Sequence, residues 1–177
     1  LSISPALYKN LPYNPSSIEP VAIFGQLPNV LLVNPDSGIN SVADLVKRAK
    51  ANPGKLNYAS NGYGTSLNLS AEMLKSQAEI FVLHIPYRGG GPALIDTISG
   101  QVDMSFPVLA AALPHVQAGK LKAIGVTGPR RSPLLPNVPT IAESGVPKYN
   151  FETWFMVFAP AKTPQPIIEK LNLALRK

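Results

Sequence analysis

The apolar positions of this chain change their spacing from one segment to the next, and the changes predict alternating strands and helices. Short apolar runs or strict alternation mark the strands, whereas apolar residues three or four positions apart mark the helices. We expect strands at residues 21–24, 30–33, 56–59, 81–85, 102–106, 121–126 and 151–158. We expect helices at residues 41–50, from 65, from 92, at 108–118, at 140–144 and from 163 to the end.

This alternation is typical of an α/β fold in which a parallel-rich sheet is flanked by helices on both faces. In open sheets of this kind, ligands bind outside the carboxyl ends of the strands. Two glycine-rich turns follow predicted strands at that edge, and the Phe106-Pro107 end of a third strand belongs to the same edge. The functional residues are therefore expected there.

The first glycine turn contains Gly62 and Gly64 and leads into the helix that begins near Thr65. Glycine allows backbone conformations that other residues avoid. The first turn of a helix also carries N–H groups without an intrahelical partner, at the positive end of the helix dipole. The pattern predicts a turn that can hold a small anion.

The second glycine turn, Ile85-Pro86-Tyr87-Arg88-Gly89-Gly90-Gly91-Pro92, repeats the order of strand, turn and helix start. Two such turns on successive units favour a binding cleft over a catalytic centre. A dinucleotide site is disfavoured, because Leu67 stands where the fingerprint needs its third glycine and no acidic residue ends the next strand. A simple tight connection without a ligand remains an alternative, since glycine turns are common.

Composition and charge restrict the kind of partner. The 177 residues carry a formal net charge of +6, but the basic residues are dispersed and few aromatics lie among them. A solvated basic surface is therefore favoured over a nucleic-acid interface. The chain has no cysteine, which excludes disulfides and thiolate metal sites. It has no apolar run of about 18 residues, the length expected of a membrane-spanning helix.

Motifs of enzymes are missing from the sequence. His84 and His115 are the only histidines, and no metal-binding spacing pairs them. The G-x-S-x-G nucleophile motif is absent, and Asp96, Asp103 and Glu143 fit caps or surface charges better than paired acid–base groups. We expect no catalytic residues, no metal and no cofactor.

A series of ordered motifs resembles the receptors of tripartite tricarboxylate transporters, the Bug family. The series runs from about Ile3 to the last residue, so the resemblance is highly specific. The motifs are Asn57-Tyr58-Ala59-Ser60, His84-Ile85-Pro86-Tyr87-Arg88-Gly89-Gly90, Gly100-Gln101-Val102-Asp103, Leu113-Pro114-His115, Ala118-Gly119-Lys120-Leu121, Leu135-Pro136-Asn137-Val138-Pro139-Thr140, Glu143-Ser144-Gly145, and Phe151, Trp154 and Ala159-Pro160-Ala161.

The resemblance implies a periplasmic solute-binding receptor of the type II periplasmic-binding-protein class, which closes two α/β lobes over a small carboxylate and delivers it to membrane permease subunits. On this basis residues 34–150 are expected to form lobe 2, the ligand-binding domain. Residues 1–33 and 151–177 are expected to be remnants of a truncated lobe 1. The chain carries no signal peptide, and we interpret it as a fragment.

The resemblance also implies the residues that contact the ligand. They are Ser60, Asn61, Gly62, Gly64, Thr65 and Ser66 in the first turn, and Tyr87, Gly89 and Gly90 in the second. At the third strand end Pro107 replaces the acidic residue that the family often carries, which disfavours an amino-acid ligand over other small organic carboxylates. Arg88 fits a surface charge as well as a role in attracting anions, and Trp154 is expected in the core.

One alternative function has the same architecture, namely a ligand-sensing domain of a signalling or regulatory protein. The difference would lie in segments outside this sequence. The truncated lobe also leads us to expect that this chain binds its solute weakly or not at all. Apolar residues around Phe151, Phe155 and residues 21–24 are expected to be exposed, which predicts self-association of the fragment.

Overall fold

The computed structural model describes residues 3–176. The described residues divide into two compact units, one formed by the residues up to Gln26 and from Trp154 onward, the other by Leu27–Thr153. This division differs from the predicted lobe boundaries by residues 27–33 and 151–153. The assignment of the two units to lobes of a larger receptor stays a prediction.

Helices and strands alternate along most of the described chain, as the apolar pattern predicts. Two short 3-10 helices, Pro15–Ser17 and Pro35–Ser37, lie between the regular elements. The helices are α1 Ser4–Leu7, α2 Val42–Ala51, α3 Ser66–Ala78, α4 Gly90–Ile98, α5 Leu109–Gln117 and α6 Gln165–Leu175. The strands are β1 Ile18–Pro28, β2 Val30–Val33, β3 Asn57–Ser60, β4 Leu83–Pro86, β5 Met104–Ser105, β6 Lys122–Val126 and β7 Glu152–Pro160.

The larger unit is built on a five-stranded sheet with the strand order β4-β3-β5-β2-β6. β3 is parallel to both β4 and β5, whereas β2 is antiparallel to both β5 and β6. Four of the five strands therefore run in one direction and β2 alone is reversed. The predicted α/β class with a parallel-rich sheet is confirmed.

Apolar layers cover both faces of this sheet. All four residues of β2 are fully buried, and they alternate between the layers. Leu31 and Val33 join the larger cluster, which includes residues of α2 and α3, while Val30 and Leu32 join a cluster with residues of α4 and α5. A strand covered on both sides must be apolar at every position, which explains the continuous run Val30–Val33.

Gly125 shows how tightly the larger cluster is packed. A Cβ at this position would lie 2.9 Å from both Ile141 Cγ1 and Val42 Cγ2. Both of these side chains are fully buried, so they have little room to move.

We therefore expect Gly125→Ala to lower the free energy of unfolding by about 1–3 kcal/mol, the usual cost of overpacking a core. Urea titration measures this change. Gly25→Ala is the matched control, because no atom lies within 4 Å of its Cβ position. Equal stability of the Gly125→Ala variant and the parent chain would contradict the described packing.

The predicted helix at residues 140–144 is wrong, because this segment forms turns. Thr140 N donates to Glu143 Oε2 over 2.8 Å, and Glu143 N donates to Thr140 Oγ1 over 3.0 Å. This reciprocal pair has the pattern that begins a helix. Gly145, with a φ of +105°, and the following Pro147 stop the chain from continuing as one.

The smaller unit has a modest core in which Val21, Ala159 and Ile168 are buried. Asn172 on α6 donates from Nδ2 to the carbonyl of Val21 over 2.6 Å. Other apolar side chains of this unit are exposed, among them Ile23, Phe24, Trp154 and Phe155. Trp154 was expected in the core, and the structure places it at the surface.

The predicted apolar patch is thus present at Phe24 and Phe155, whose ring centroids are 6.1 Å apart. Val21 is buried, and Phe151 is half-buried against the larger cluster, so neither belongs to the patch. Self-association through this patch stays a prediction. No helix in the described part of the chain combines the length and the apolar character needed to cross a bilayer.

Candidate functional site

The first predicted turn follows β3 directly and is held by its last residue. Ser60 is fully buried, and its Oγ accepts a hydrogen bond from Gly62 N over 3.0 Å. Gly62 and Gly64 have φ angles of +114° and +73°, in the region that favours glycine. The turn therefore needs both glycines. The side chain of Asn61, between Ser60 and Gly62, is exposed.

The turn continues into α3 through a side-chain cap. Thr65 is the N-cap residue, and its Oγ1 accepts from Asn68 N over 3.4 Å and donates to the carbonyl of Gly62 over 2.7 Å. Gly64 N donates to Asn68 Oδ1 over 2.9 Å. The N–H groups of both turn glycines are thus used within the protein.

The first two residues of α3 remain available to a ligand. In residues 3–176, we find no acceptor for the backbone N–H groups of Ser66 and Leu67. These two groups lie at the positive end of a 13-residue helix. An anion at the predicted site could therefore be bound by the first turn of α3, and the site itself stays a prediction.

The second predicted turn lies beside the first, because β3 and β4 are parallel neighbours. Tyr87 N donates to the carbonyl of Ser60 over 2.8 Å, and the Tyr87 hydroxyl donates to Asp96 Oδ2 over 2.6 Å. This hydrogen bond and burial raise the pKa of Tyr87 to about 12. Tyr87 therefore positions the turn, and its hydroxyl is already used.

Gly89 precedes α4 with a φ of +130°, and a Cβ at Gly90 or Gly91 would meet no atom within 4 Å. The N–H groups of Gly90 and Gly91 also have no acceptor in the part of the chain that the structure describes. Arg88 is exposed. The structure thus brings two open helix starts together at neighbouring strand ends.

The residues that follow the third strand are held by hydrogen bonds within the protein. Pro107 is buried, and its carbonyl accepts from Val30 N over 3.0 Å. Asn29 beside it is fully buried and forms hydrogen bonds to four other residues. They link it to Thr127, Ser70, the carbonyl of Phe106 and Thr153.

A hydrogen-bonded group beneath the first turn was not predicted from the sequence. Tyr58 donates from its hydroxyl to Glu72 Oε1 over 2.5 Å and accepts from Asn68 Nδ2 over 2.7 Å. Lys75 Nζ lies 2.8 Å from the same Glu72 oxygen. Because Asn68 also holds Gly64, this group supports the turn from the side of the core.

The pKa shifts of Tyr58 and Glu72 determine which of the two carries a charge at neutral pH. Burial, together with the hydrogen bond to Glu72, raises the pKa of Tyr58 far above its usual range, so the phenol stays neutral. Burial also raises the pKa of Glu72, but the hydrogen bonds from Lys75 and Tyr58 outweigh it and bring the pKa below its ordinary value of 4.5. Glu72 is therefore ionised at neutral pH.

This shift predicts a contribution of Glu72 to acid stability. A lowered folded-state pKa stabilises the protein above the pKa of the unfolded chain, and that contribution is lost as the pH falls through the folded-state value. Glu72→Gln should therefore flatten the loss of stability between about pH 5 and pH 3. Glu79→Gln is the control, since Glu79 is exposed and has no ion pair among the described residues. Urea titrations across this pH range would contradict the interpretation if both variants followed the parent curve.

His84 is a second residue that sequence reasoning did not assign to the site. Its Nε2 lies 2.6 Å from Ser60 Oγ, and its ring stacks on Tyr58 with centroids 4.8 Å apart. The edge contact with Tyr63 of the first turn has a centroid distance of 4.7 Å. Among residues 3–176, no group of three or more His, Asp or Glu side chains could hold a metal ion.

A separate cleft of about 380 Å³ lies away from both turns. Its walls include Pro28, Arg130, Arg131 and Glu152. Arg131 Nε pairs with Glu143 Oε2 at 2.9 Å, so one of its two arginines is engaged. We place the candidate site at the turns, because two helix starts with open N–H groups follow the neighbouring strands β3 and β4 there.

A family model, curated proteins and solved structures all relate this chain to the same family of receptors. Residues 1–177 match the family described as "Tripartite tricarboxylate transporter family receptor". The protein BugT of Bordetella pertussis is 34% identical over 97% of this chain and 53% of its own length. This chain spans about half the length of the curated relatives it matches.

Solved structures show the same relationship. A Rhodopseudomonas palustris protein with adipate is 36% identical, with a TM-score of 0.88 over 95% of this chain and 56% of that one. MatC from the same organism, with bound malate, is 31% identical, with a TM-score of 0.87 over 98% of this chain and 60% of that one. The chain belongs to the tripartite tricarboxylate transporter receptor family, which includes the Bug proteins.

Proposed function

We propose that this chain is the ligand-binding part of a periplasmic receptor that captures a small dicarboxylate and delivers it to the permease subunits of a tripartite tricarboxylate-type transporter. Family membership supports the receptor role, and the relatives with adipate and malate support the ligand class. The comparisons favour transport over a sensing domain of the same architecture.

The observation that carries the proposal is the pair of open N–H groups at Ser66 and Leu67. One carboxylate of the ligand accepts hydrogen bonds from these groups, where the helix dipole favours a negative charge. Such a site stabilises an anion by about 0.3–1 kcal/mol when exposed and by up to ~2 kcal/mol when partly buried. Thr65, which caps the helix, and the buried Ser60 hold the turn in place for this contact.

The second glycine turn binds the same carboxylate of the ligand, or polar groups of the ligand next to that carboxylate. Gly89, Gly90 and Gly91 leave space at the start of α4, since no atom lies within 4 Å of a Cβ at Gly90 or Gly91. Tyr87 connects this turn to the first through its backbone N–H. A ligand that approaches the edge of the sheet therefore meets two helix starts with little steric hindrance.

Calorimetric titration of the complete gene product with succinate, malate and adipate tests this proposal. The neutral diamide succinamide is the matched ligand control, because it keeps the chain length and removes both charges. We expect saturable binding of at least one dicarboxylate and no heat of binding for the diamide. Equal affinity for succinate and succinamide would contradict a site that selects for negative charge.

A further inference from the structure

His84 contacts three residues in or next to the first turn, namely Tyr58, Ser60 and Tyr63. Its ring lies between Tyr58, which stacks on it at an interplanar angle of 15°, and Tyr63, which meets it at 86°. Its Nε2 is in hydrogen-bond contact with Ser60 Oγ, which accepts from Gly62 N. The imidazole is thus linked to the backbone of the turn through a single side chain, that of Ser60.

The hydrogen-bond pattern selects one tautomer of this imidazole. Nδ1 is buried and has no hydrogen-bond partner in the described residues. A proton on Nδ1 would be a buried donor without an acceptor, which is more costly than a bare lone pair. The proton of the neutral ring therefore resides on Nε2 and points at Ser60 Oγ.

With this tautomer the Ser60 hydroxyl has a partner for its proton and for both of its lone pairs. Its Oγ accepts from His84 Nε2 over 2.6 Å and from Gly62 N over 3.0 Å. Its own proton is directed to the carbonyl of Gly62 over 3.2 Å. Ser60 thereby holds both the backbone N–H and the carbonyl of Gly62, and His84 fixes the orientation of the hydroxyl that does so.

The same contacts keep His84 neutral. Burial lowers its pKa, the carboxylate of Glu72 acts in the opposite direction, and Lys75 lowers it further, with a net decrease from the ordinary value. A second proton would also have to reside on the buried Nδ1, where no acceptor is available. The ring thus stays a neutral donor near neutral pH.

We propose that His84 is a positioning residue of the anion site: through Ser60 it fixes the Gly62 turn that sets the start of α3. This inference rests on the proposed function for its binding readout. In this proposal the polar atoms of His84 make no contact with the ligand, because Nε2 is bonded to Ser60 Oγ and Nδ1 is buried. Its effect on affinity should therefore pass entirely through Ser60, which makes it distinguishable from a residue that binds directly.

The test compares two substitutions of His84 in the complete gene product, titrated with succinate. His84→Phe keeps the aromatic contacts to Tyr58 and Tyr63 but removes Nε2, so we expect affinity to fall about tenfold. His84→Gln returns an amide N–H near that nitrogen and should restore affinity to within about threefold of the parent. His115→Phe, which alters the other histidine, is the control and should bind as the parent does.

A double-mutant cycle with Ser60→Ala decides whether His84 acts through Ser60. We expect the double variant Ser60→Ala/His84→Phe to bind no more weakly than Ser60→Ala alone. A loss in the double variant equal to the product of the two single losses would overturn the proposal. Unchanged affinity of His84→Phe would overturn it as well.

Hydrogen exchange of the Gly62 amide in the ligand-free protein separates this inference from the proposed function. We expect faster exchange in His84→Phe and Ser60→Ala than in the parent and His84→Gln. If no dicarboxylate binds the parent protein, the proposed function fails, and this exchange rate still tests the positioning role. An exchange rate that is the same in all four proteins would overturn it.

Discussion

Replacing Gly64 with Val should lower the affinity for a dicarboxylate at least tenfold, which corresponds to about 1.4 kcal/mol. Gly64 has a φ of +73°, a conformation that costs a residue with a side chain about 1–2 kcal/mol. The turn would relieve this strain by changing shape, and the hydrogen bond from Gly64 N to Asn68 Oδ1 would be lost with it. Because that bond positions the start of α3, the N–H groups of Ser66 and Leu67 would no longer be aligned for a carboxylate.

Gly119→Val separates the effect on binding from the effect of strain. Gly119 has a φ of +69° and no atom within 4 Å of its Cβ position, so the substitution imposes a similar strain far from the turn in sequence. We expect the two variants to lose similar stability in urea titrations, while only Gly64→Val loses affinity in calorimetry. Parent-like affinity of Gly64→Val would show that the turn is not part of the ligand site.

Replacing Asn29 with Leu should lower the free energy of unfolding by at least about 3 kcal/mol, since each buried partner left unpaired costs about 1–3 kcal/mol. Asn29 Nδ2 donates to the carbonyl of Phe106 over 2.8 Å and to Ser70 Oγ over 3.1 Å. Its Oδ1 accepts from Thr153 Oγ1 over 2.9 Å. Leu has a similar volume but can satisfy none of these groups.

Asn137→Leu is the matched control for this substitution, because Asn137 is exposed and its side chain forms no hydrogen bond among residues 3–176. Surface changes of this kind usually stay within about 0.5 kcal/mol. Chemical unfolding of both variants gives the comparison. A loss below about 1 kcal/mol for Asn29→Leu would mean that water or a shifted backbone replaces the amide, against the described packing.

The fold was largely predictable because its signals are local. Glycine turns after apolar runs located β3 and β4, and apolar spacing located α2 and α3 within a few residues. The reversed direction of β2 was not predictable. Val-Leu-Leu-Val reads the same for either strand direction, and its pairing with Ser105 and Val126 joins segments about 70 to 95 residues apart.

The candidate site was only partly predictable for a similar reason. The two glycine turns are visible in the sequence, and the helix starts are where the pattern puts them. The side chains of Ser60, Thr65 and Asn68 determine which backbone N–H groups remain without an acceptor. Their rotamers cannot be read from the spacing of apolar residues in the sequence. The roles of His84 and Tyr58 depend on the register that pairs them across β3 and β4.

Backbone-amide NMR during titration with succinate tests the central claim most directly, namely that a carboxylate binds at the start of α3. We predict that the amide resonances of Ser66 and Leu67 move downfield and saturate at the affinity found by calorimetry, and that succinamide leaves them unchanged. Saturable shifts at Arg130 and Arg131, with Ser66 and Leu67 unmoved, would contradict the account and place the anion in the other cleft.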